Sequence, residues 1–204
     1  MNEDENYMEF SKEYILLLEG KLQKELKSGR YLHTLGVAYL SASLAMCYGV
    51  SHREALIAGL LHDCAKNYSN EDLLKKCIKH EVVLTEAEKK IPAMLHSVYG
   101  AYLAREKYGI ENEDIISAVR YHTVGRPAMS MLEQIVFLAD YLEPERTQPT
   151  NPSLDEIRKV AFQNLDEATY LVVKNTVEYL ESSNSEVNPV IYEVFEYYKK
   201  KTGK

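Results

Sequence analysis

Cysteine is scarce in this chain and poorly placed for crosslinking. Cys47, Cys64 and Cys77 are the three in 204 residues. Their odd number and the lack of a Cys-x-x-Cys pair exclude a disulfide framework, so reduced thiols with packing roles are expected. Long apolar runs are missing as well. The densest stretches, Tyr14 to Leu18 and Ile135 to Ala139, fall far short of the roughly 18 to 20 residues that cross a bilayer, which argues against membrane insertion. The N-terminus, Met-Asn-Glu-Asp-Glu-Asn, is acidic where a signal or transit peptide would be basic, and a cytoplasmic location is expected. No Lys/Arg cluster stands out either. With 24 Lys and Arg against 31 Asp and Glu, the net charge is -7, which speaks against a groove tracking a long nucleic acid. What remains is an ordinary globule, 46% apolar and 27% charged, too hydrophobic to be disordered.

Apolar residues recur at three and four positions, as in Phe10, Tyr14, Leu17, Leu18 and in Leu35, Tyr39, Leu40, Leu44, so the pattern predicts an all-α chain. Ser/Thr-x-x-Glu signatures at Ser51/Glu54, Thr85/Glu88, Ser130/Glu133 and Ser153/Glu156, with Ser69/Asp72 as a weaker case, mark helix starts. Gly29, Gly49, Gly109 and Gly125 read as stops, and Pro127, Pro144, Pro149, Pro152 and Pro189 as junctions. The predicted helices are 7–27, 30–48, 52–65, 70–79, 86–90, 93–108, 113–123, 130–143, 154–164, 167–182 and 189–201. One domain is expected over 1–204, with a core at about 27–145 and C-terminal helices 153–201 packing on it beyond a proline-rich linker.

Three places set ionisable residues inside apolar helices, where a buried charge costs several kcal/mol unless it is paired or metal-bound. Ala-Leu-Ile-Ala-Gly-Leu-Leu runs into His62, Asp63 and Lys66; Asp140 interrupts Ile135 to Leu142; His33 sits in Tyr-Leu-His-Thr-Leu. Helical spacing lays Lys66 over both His62 and Asp63, and Arg30 precedes His33 by three. One ion could gather His33, His62, Asp63 and Asp140, with Lys66 and Arg30 flanking it. Each residue alone has a blander reading, as a hydrogen-bonded core histidine or a solvent-facing carboxylate.

Arg30-x-x-His33, His62-Asp63-x-x-Lys66 and the distant Asp140, in a helical frame, resemble the HD superfamily of metal-dependent phosphohydrolases. The text His96-Ser-x-x-Gly-Ala, Tyr121-His122-Thr123-x-Gly125-Arg126, and Met131, Ile135, Asp140, Glu143-Pro-x-Arg146 narrows the likeness. It resembles the YqeK family of bacterial HD hydrolases, from about Lys27 to Glu181. The resemblance implies an HD-domain helical bundle that cleaves diadenosine tetraphosphate symmetrically with iron or a similar divalent ion. It implies His33, His62, Asp63 and Asp140 as metal ligands, His33 and Asp140 lying also against substrate, and His96, His122 and Arg146 facing the phosphates. The family's adenosine contacts align near Lys174, Asn175 and Tyr179. Other members of the superfamily hold a second metal on the histidines matching His96 and His122, beside a bridging Asp.

Nitrogen and oxygen ligands without thiolate suit iron, manganese, cobalt, nickel or zinc. Phosphoanhydride hydrolysis by metal-bound hydroxide fits this equipment, with Asp63 orienting the water or taking its proton. Lys66, His96, His122, Arg126 and Arg146 are the groups available to neutralise phosphate charge. Thr123 either meets a phosphate or caps a helix end. Tyr121, Tyr141 and Tyr179 are candidates for stacking on a base, or simply core and rim. The expected partners are a dinucleoside polyphosphate, with ADP, GDP or dGDP as product-like ligands, and the surface permits a homodimer. Competing readings are another HD nucleotidase, a guanosine tetraphosphate hydrolase, or a non-catalytic nucleotide-sensing module.

Overall fold

A computed structural model describes residues 10–183 and 188–204, and these contain eleven α-helices and no strand. The first predicted helix begins at residue 7, outside the described residues, as does the acidic N-terminus. Helix α1 (Lys12–Glu25) is capped by the Ser11 hydroxyl and buries Leu18 and Leu22. Helix α2 (Ser28–Tyr48) follows without a glycine stop. Gly29 lies inside its first turn, and the break is made by Leu26 and Lys27, both extended. At the other end Gly49, with φ +69, closes α2 in the left-handed conformation that glycine adopts at no steric cost.

Helix α3 (His52–Leu61) starts on the Ser51 cap and ends earlier than the expected 65. Beyond it, residues 62–67 form a tight turn in which Cys64 N donates to Leu61 O and Lys66 N to Asp63 O. Helices α2 and α3 pack closely because Gly59 lies against the Ala38 backbone. Then come α4 (Asn70–Lys79), the short α5 (Glu86–Lys90), a 3-10 turn (Pro92–Met94), α6 (Leu95–Glu106) and α7 (Glu113–Tyr121). Asn112 caps α7, whose expected end at 123 falls instead at Tyr121.

Helix α8 (Met131–Leu142) is the central strut. A capping box between Ser130 and Glu133 starts it, and Leu132, Ile135, Val136, Phe137, Leu138 and Leu142 are all buried. At about 2 kcal/mol for each fully buried aliphatic or aromatic side chain, those six dominate the local energetics. It packs on α2, α3 and α7 on one side, and on α9 (Leu154–Ala161) and α10 (Leu165–Ser182) on the other; α11 (Val190–Lys201) closes against α10. One continuous apolar core runs from Phe10 to Tyr198. No helix among the described residues is long and apolar enough to cross a membrane.

Candidate metal centre and adjoining cavity

Four buried histidines meet where α2, the turn after α3, α6 and the end of α7 converge. In three of them Nδ1 lies against the carbonyl oxygen of the residue three positions back: His62 on Gly59 at 2.6 Å, His96 on Ala93 at 2.7 Å, His122 on Val119 at 2.8 Å. A carbonyl can only accept, so the N–H sits on Nδ1 and Nε2 keeps its lone pair. His33 has the same polarity, but its Nδ1 faces Glu143 Oε1 at 3.1 Å.

The freed Nε2 atoms converge on one another and on carboxylates. His33 and His62 bring theirs to 3.3 Å. Asp140 Oδ1 lies 3.1 Å from His33 Nε2 and 3.9 Å from His62 Nε2, and Asp63 Oδ2 lies 3.9 and 3.5 Å from the same two atoms. Acceptors gathered against acceptors repel unless a cation stands between them. Donors held about 2.1 Å from a six-coordinate ion lie about 3.0 Å apart when adjacent and about 4.2 Å apart when opposed. The observed spacings of 3.1 to 3.9 Å fall inside that window, so this donor set fits a divalent metal. A second set shares Asp63: its Oδ1 lies 3.4 Å from His96 Nε2 and 3.7 Å from His122 Nε2, which are 3.3 Å apart.

Charges around the cluster hold its acids ionised. Burial alone would raise the Asp63 carboxyl, but the His62 and His122 imidazoles beside it keep it well below the usual carboxylate range. Asp140 is lowered in the same way against burial, by the His33 hydrogen bond and then His62. Burial first, then His122 and Lys66, push His96 down to about 3, which keeps its ring neutral. Burial alone would lower His33, but it is raised: without a metal ion, a proton on Nε2 shared with Asp140 takes the cation's place, beside the Nδ1–H bond to Glu143. Arg30 Nη1 donates to Asp63 Oδ2 at 2.7 Å, and Arg146 Nη2 to Asp140 Oδ1 at 2.9 Å.

The geometry thus gathers His33, His62, Asp63, His96, His122 and Asp140, and sets Thr123 Oγ1 3.2 Å from both His96 and His122 Nε2. Lys66 lies in the tight turn after Leu61, with its N–H donating to Asp63 O, and its Nζ sits 3.1 to 3.2 Å from the two ring nitrogens of His96. Burial lowers its pKa, partly offset by Asp63. Arg126 is engaged elsewhere: it grips Glu133 at 3.0 and 3.1 Å and stacks on Tyr121. Lys174 stands 3.6 Å from Glu178.

Beside the cluster, reached through Arg146, is a cavity of about 800 Å³ lined by Tyr141, Gln148, Thr150, Asn175, Thr176 and Tyr179 among others. Asn175 Nδ2 and Thr150 Oγ1 are buried with no hydrogen-bond partner. Two contributors escaped the sequence reading. Glu143 appears there only as motif text, and Arg158 not at all. Arg158 donates to the carbonyls of Leu142, Glu143 and Arg146 at 2.8 to 3.0 Å, fixing the turn that carries Arg146. A Glu-Pro turn just after the Asp140 helix was the one local hint.

Comparison with known proteins agrees with this geometry. The HD domain family matches residues 30–145. The symmetrical bis(5'-nucleosyl)-tetraphosphatase of Bacillus subtilis is 38% identical over 82% of this chain and 88% of its own length. That of Halalkalibacterium halodurans is 36% identical over the same shares, and that of Staphylococcus aureus 34% over 78% and 82%. A crystal structure from Clostridium acetobutylicum, described as a predicted HD superfamily hydrolase involved in NAD metabolism, superposes with a TM-score of 0.85 at 33% identity. It covers 90% of this chain and 96% of its own.

Proposed function

This chain belongs to the HD domain family, and from that premise we propose that it hydrolyses diadenosine tetraphosphate symmetrically to two ADP. The substrate comes from the names of its relatives. One observation carries the chemistry: imidazole lone pairs and ionised carboxylates, spaced for a divalent ion, are joined through Arg146 to a cavity of nucleotide size. His33, His62, Asp63 and Asp140 would hold the ion, iron or a similar metal of mixed nitrogen and oxygen preference. Such an ion acidifies water towards neutral pH and polarises phosphorus.

The chain's own groups do the rest. Asp63, kept ionised in a buried setting, orients the attacking water and accepts its proton. Attack at one inner phosphorus breaks its bond to the central bridging oxygen, so one ADP leaves with that oxygen and the other keeps the oxygen from water. Lys66, Thr123 and Arg146 donate to phosphate oxygens, where phosphoryl transfer gains most from positioning and charge neutralisation. The cavity takes a nucleoside half. The free Asn175 Nδ2 meets an acceptor on base or ribose, and Tyr141 and Tyr179 offer ring faces. ADP, GDP or dGDP would bind there as a product does. A second ion between Asp63 Oδ1, His96 and His122 belongs to the same proposal; if one ion per chain is found, those histidines serve phosphate instead.

Anaerobic purification with elemental analysis, followed by chromatography of products from a nucleotide panel, tests this directly. Two ADP from diadenosine tetraphosphate is the expected result. AMP with ATP, nucleoside with phosphate, or pyrophosphate release from guanosine tetraphosphate would each replace it with another HD hydrolase reading. Tight nucleotide binding without products would favour a sensing module. Full turnover by metal-free Asp63→Ala would end the proposal.

A further inference from the structure

His33 is oriented differently from the other three histidines. They donate Nδ1–H to neutral carbonyls three residues behind; it donates to the carboxylate of Glu143, 110 positions further along the chain. Glu143 is only 2% exposed, and a charge so buried is costly unless it is fully partnered. Its partners are specific. Oε1 faces His33 Nδ1, Oε2 accepts from Glu145 N at 2.8 Å, and Arg146 Nε stands 3.8 Å away. Room for it comes from Gly36, one turn beyond His33 on α2. A Cβ there would fall 2.8 Å from Glu143 Oε2 and 3.4 Å from Glu143 Cβ. Two positions far apart in sequence are therefore fitted to a single contact.

We propose that Glu143 is a positioning residue for the metal centre. It fixes the proton of His33 on Nδ1, aims Nε2 at the ion, and makes that nitrogen a stronger donor than a carbonyl-oriented imidazole would be. The same residue opens the turn that carries Arg146, and its carbonyl accepts from Arg158 Nη2 at 2.9 Å. A metal ligand and a phosphate-binding arginine are thus set by one clamped turn. This inference rests on the metal reading above.

The test is a competition titration of metal-stripped protein with Mn²⁺ and, anaerobically, Fe²⁺ against a chromophoric chelator. It compares wild type with Glu143→Gln, Glu143→Ala, Gly36→Ala and the double variant Gly36→Ala/Glu143→Ala. Wild type should bind stoichiometrically. Glu143→Gln keeps an acceptor but loses the charge and should bind about 10-fold more weakly; Glu143→Ala and Gly36→Ala should lose about 10- to 100-fold. The double variant should be no weaker than Glu143→Ala, since both changes remove one contact. Nitrogen-15 spectra of the metal-free proteins, taken at alkaline pH where the His33 ring is neutral, should show it protonated on Nδ1 in wild type and mixed between tautomers in Glu143→Ala. Should Gly36→Ala misfold, the isosteric Glu143→Gln still decides. Wild type that binds no ion would bring down the metal reading itself. Wild type that binds, with Glu143→Gln and Glu143→Ala matching its affinity, overturns the positioning role alone.

Discussion

Changing Gly59 to Ala should destabilise the protein although alanine is the better helix former. Helix interiors gain about 1 kcal/mol on replacing Gly by Ala. At position 59, however, the new Cβ would lie 2.6 Å from Ala38 Cα, 3.0 Å from Ala38 N and 3.2 Å from Ser41 Oγ. Two of those atoms are backbone and cannot rotate aside, so α2 and α3 must separate. Overpacking of this kind costs roughly 1 to 3 kcal/mol, and a backbone clash belongs at the upper end. The net loss of about 2 kcal/mol corresponds to a fall in Tm of about 4 to 8 °C at this chain length. Gly20, inside α1 with nothing within 4 Å of its would-be Cβ, provides the control. Gly20→Ala should raise Tm by about 2 to 4 °C, from the propensity gain alone. Thermal melts by circular dichroism, recorded in chelator to remove any metal contribution, read both variants. A Gly59→Ala protein that melts at or above wild type would refute the packing argument. Since α2 carries His33 and the Gly59 carbonyl accepts from His62 Nδ1, metal affinity should fall in the same variant.

Stripping the metal should lower Tm by roughly 5 to 11 °C relative to protein with free ion at 100 times its Kd, the equivalent of about 2.7 kcal/mol of linkage; re-addition should restore it, and His62→Ala should show no shift in either direction. Asn175→Ala should raise KM for diadenosine tetraphosphate about 5- to 10-fold with kcat little changed, because a hydrogen bond made equally in ground and transition states is lost; an unchanged KM and unchanged ADP affinity by calorimetry would remove Asn175 from the nucleoside site. Glu25 supplies a pH test away from the cluster. Burial would raise its pKa, but Lys107 Nζ and Tyr108 Oη, each 2.6 Å away, hold it below the ordinary 4.5. A depressed carboxyl stabilises the fold above its unfolded pKa, and that contribution fades as pH falls through the lower folded value. Glu25→Gln should therefore cost about 0.5 kcal/mol at pH 7, a figure limited by solvent screening of a partly exposed pair, and progressively less as the pH is lowered below 4.5; urea unfolding across that pH range checks it.

Helix starts were legible because capping is a local contest that side chains settle within three residues. Ser51, Ser69, Thr85, Ser130 and Ser153 each accept from the amide expected of them. Helix ends were less so. Leu-Leu-His-Asp-Cys-Ala-Lys contains no breaker, and local propensity carries a helix through it, yet the chain tightens after Leu61 and delivers His62 and Asp63 together to the cluster. Lys66 also reaches His96, a contact across 30 positions that local spacing rules cannot anticipate. The cluster's polar residues were conspicuous in sequence because each interrupts an apolar run. Glu143 was not, since it stands beside Pro144 in what reads as a solvated linker, and only a contact across 110 positions makes it buried.

The division of the chain bears on how specificity is built. The four histidines of the cluster, Asp63, Lys66 and Asp140 lie within the stretch matched by the HD family, residues 30–145. Nearly all of the large cavity's lining lies beyond it: Gln148, Thr150, Asn175 and Tyr179 come from the loop after α8 and from α10. On the proposed function, reaction type and substrate choice would be carried by different segments, and substitutions in the second would alter what binds without disturbing the donor spacings of the first. The two are not independent, however. Arg146 touches Asp140 and lines the cavity, Glu143 holds His33, and Arg158 on α9 grips the carbonyls of both turn residues. A change in the C-terminal helices that loosened this clamp would reach the metal centre through His33 and Asp140, so selectivity can drift freely around the cavity wall but not at the turn that joins it to the chemistry.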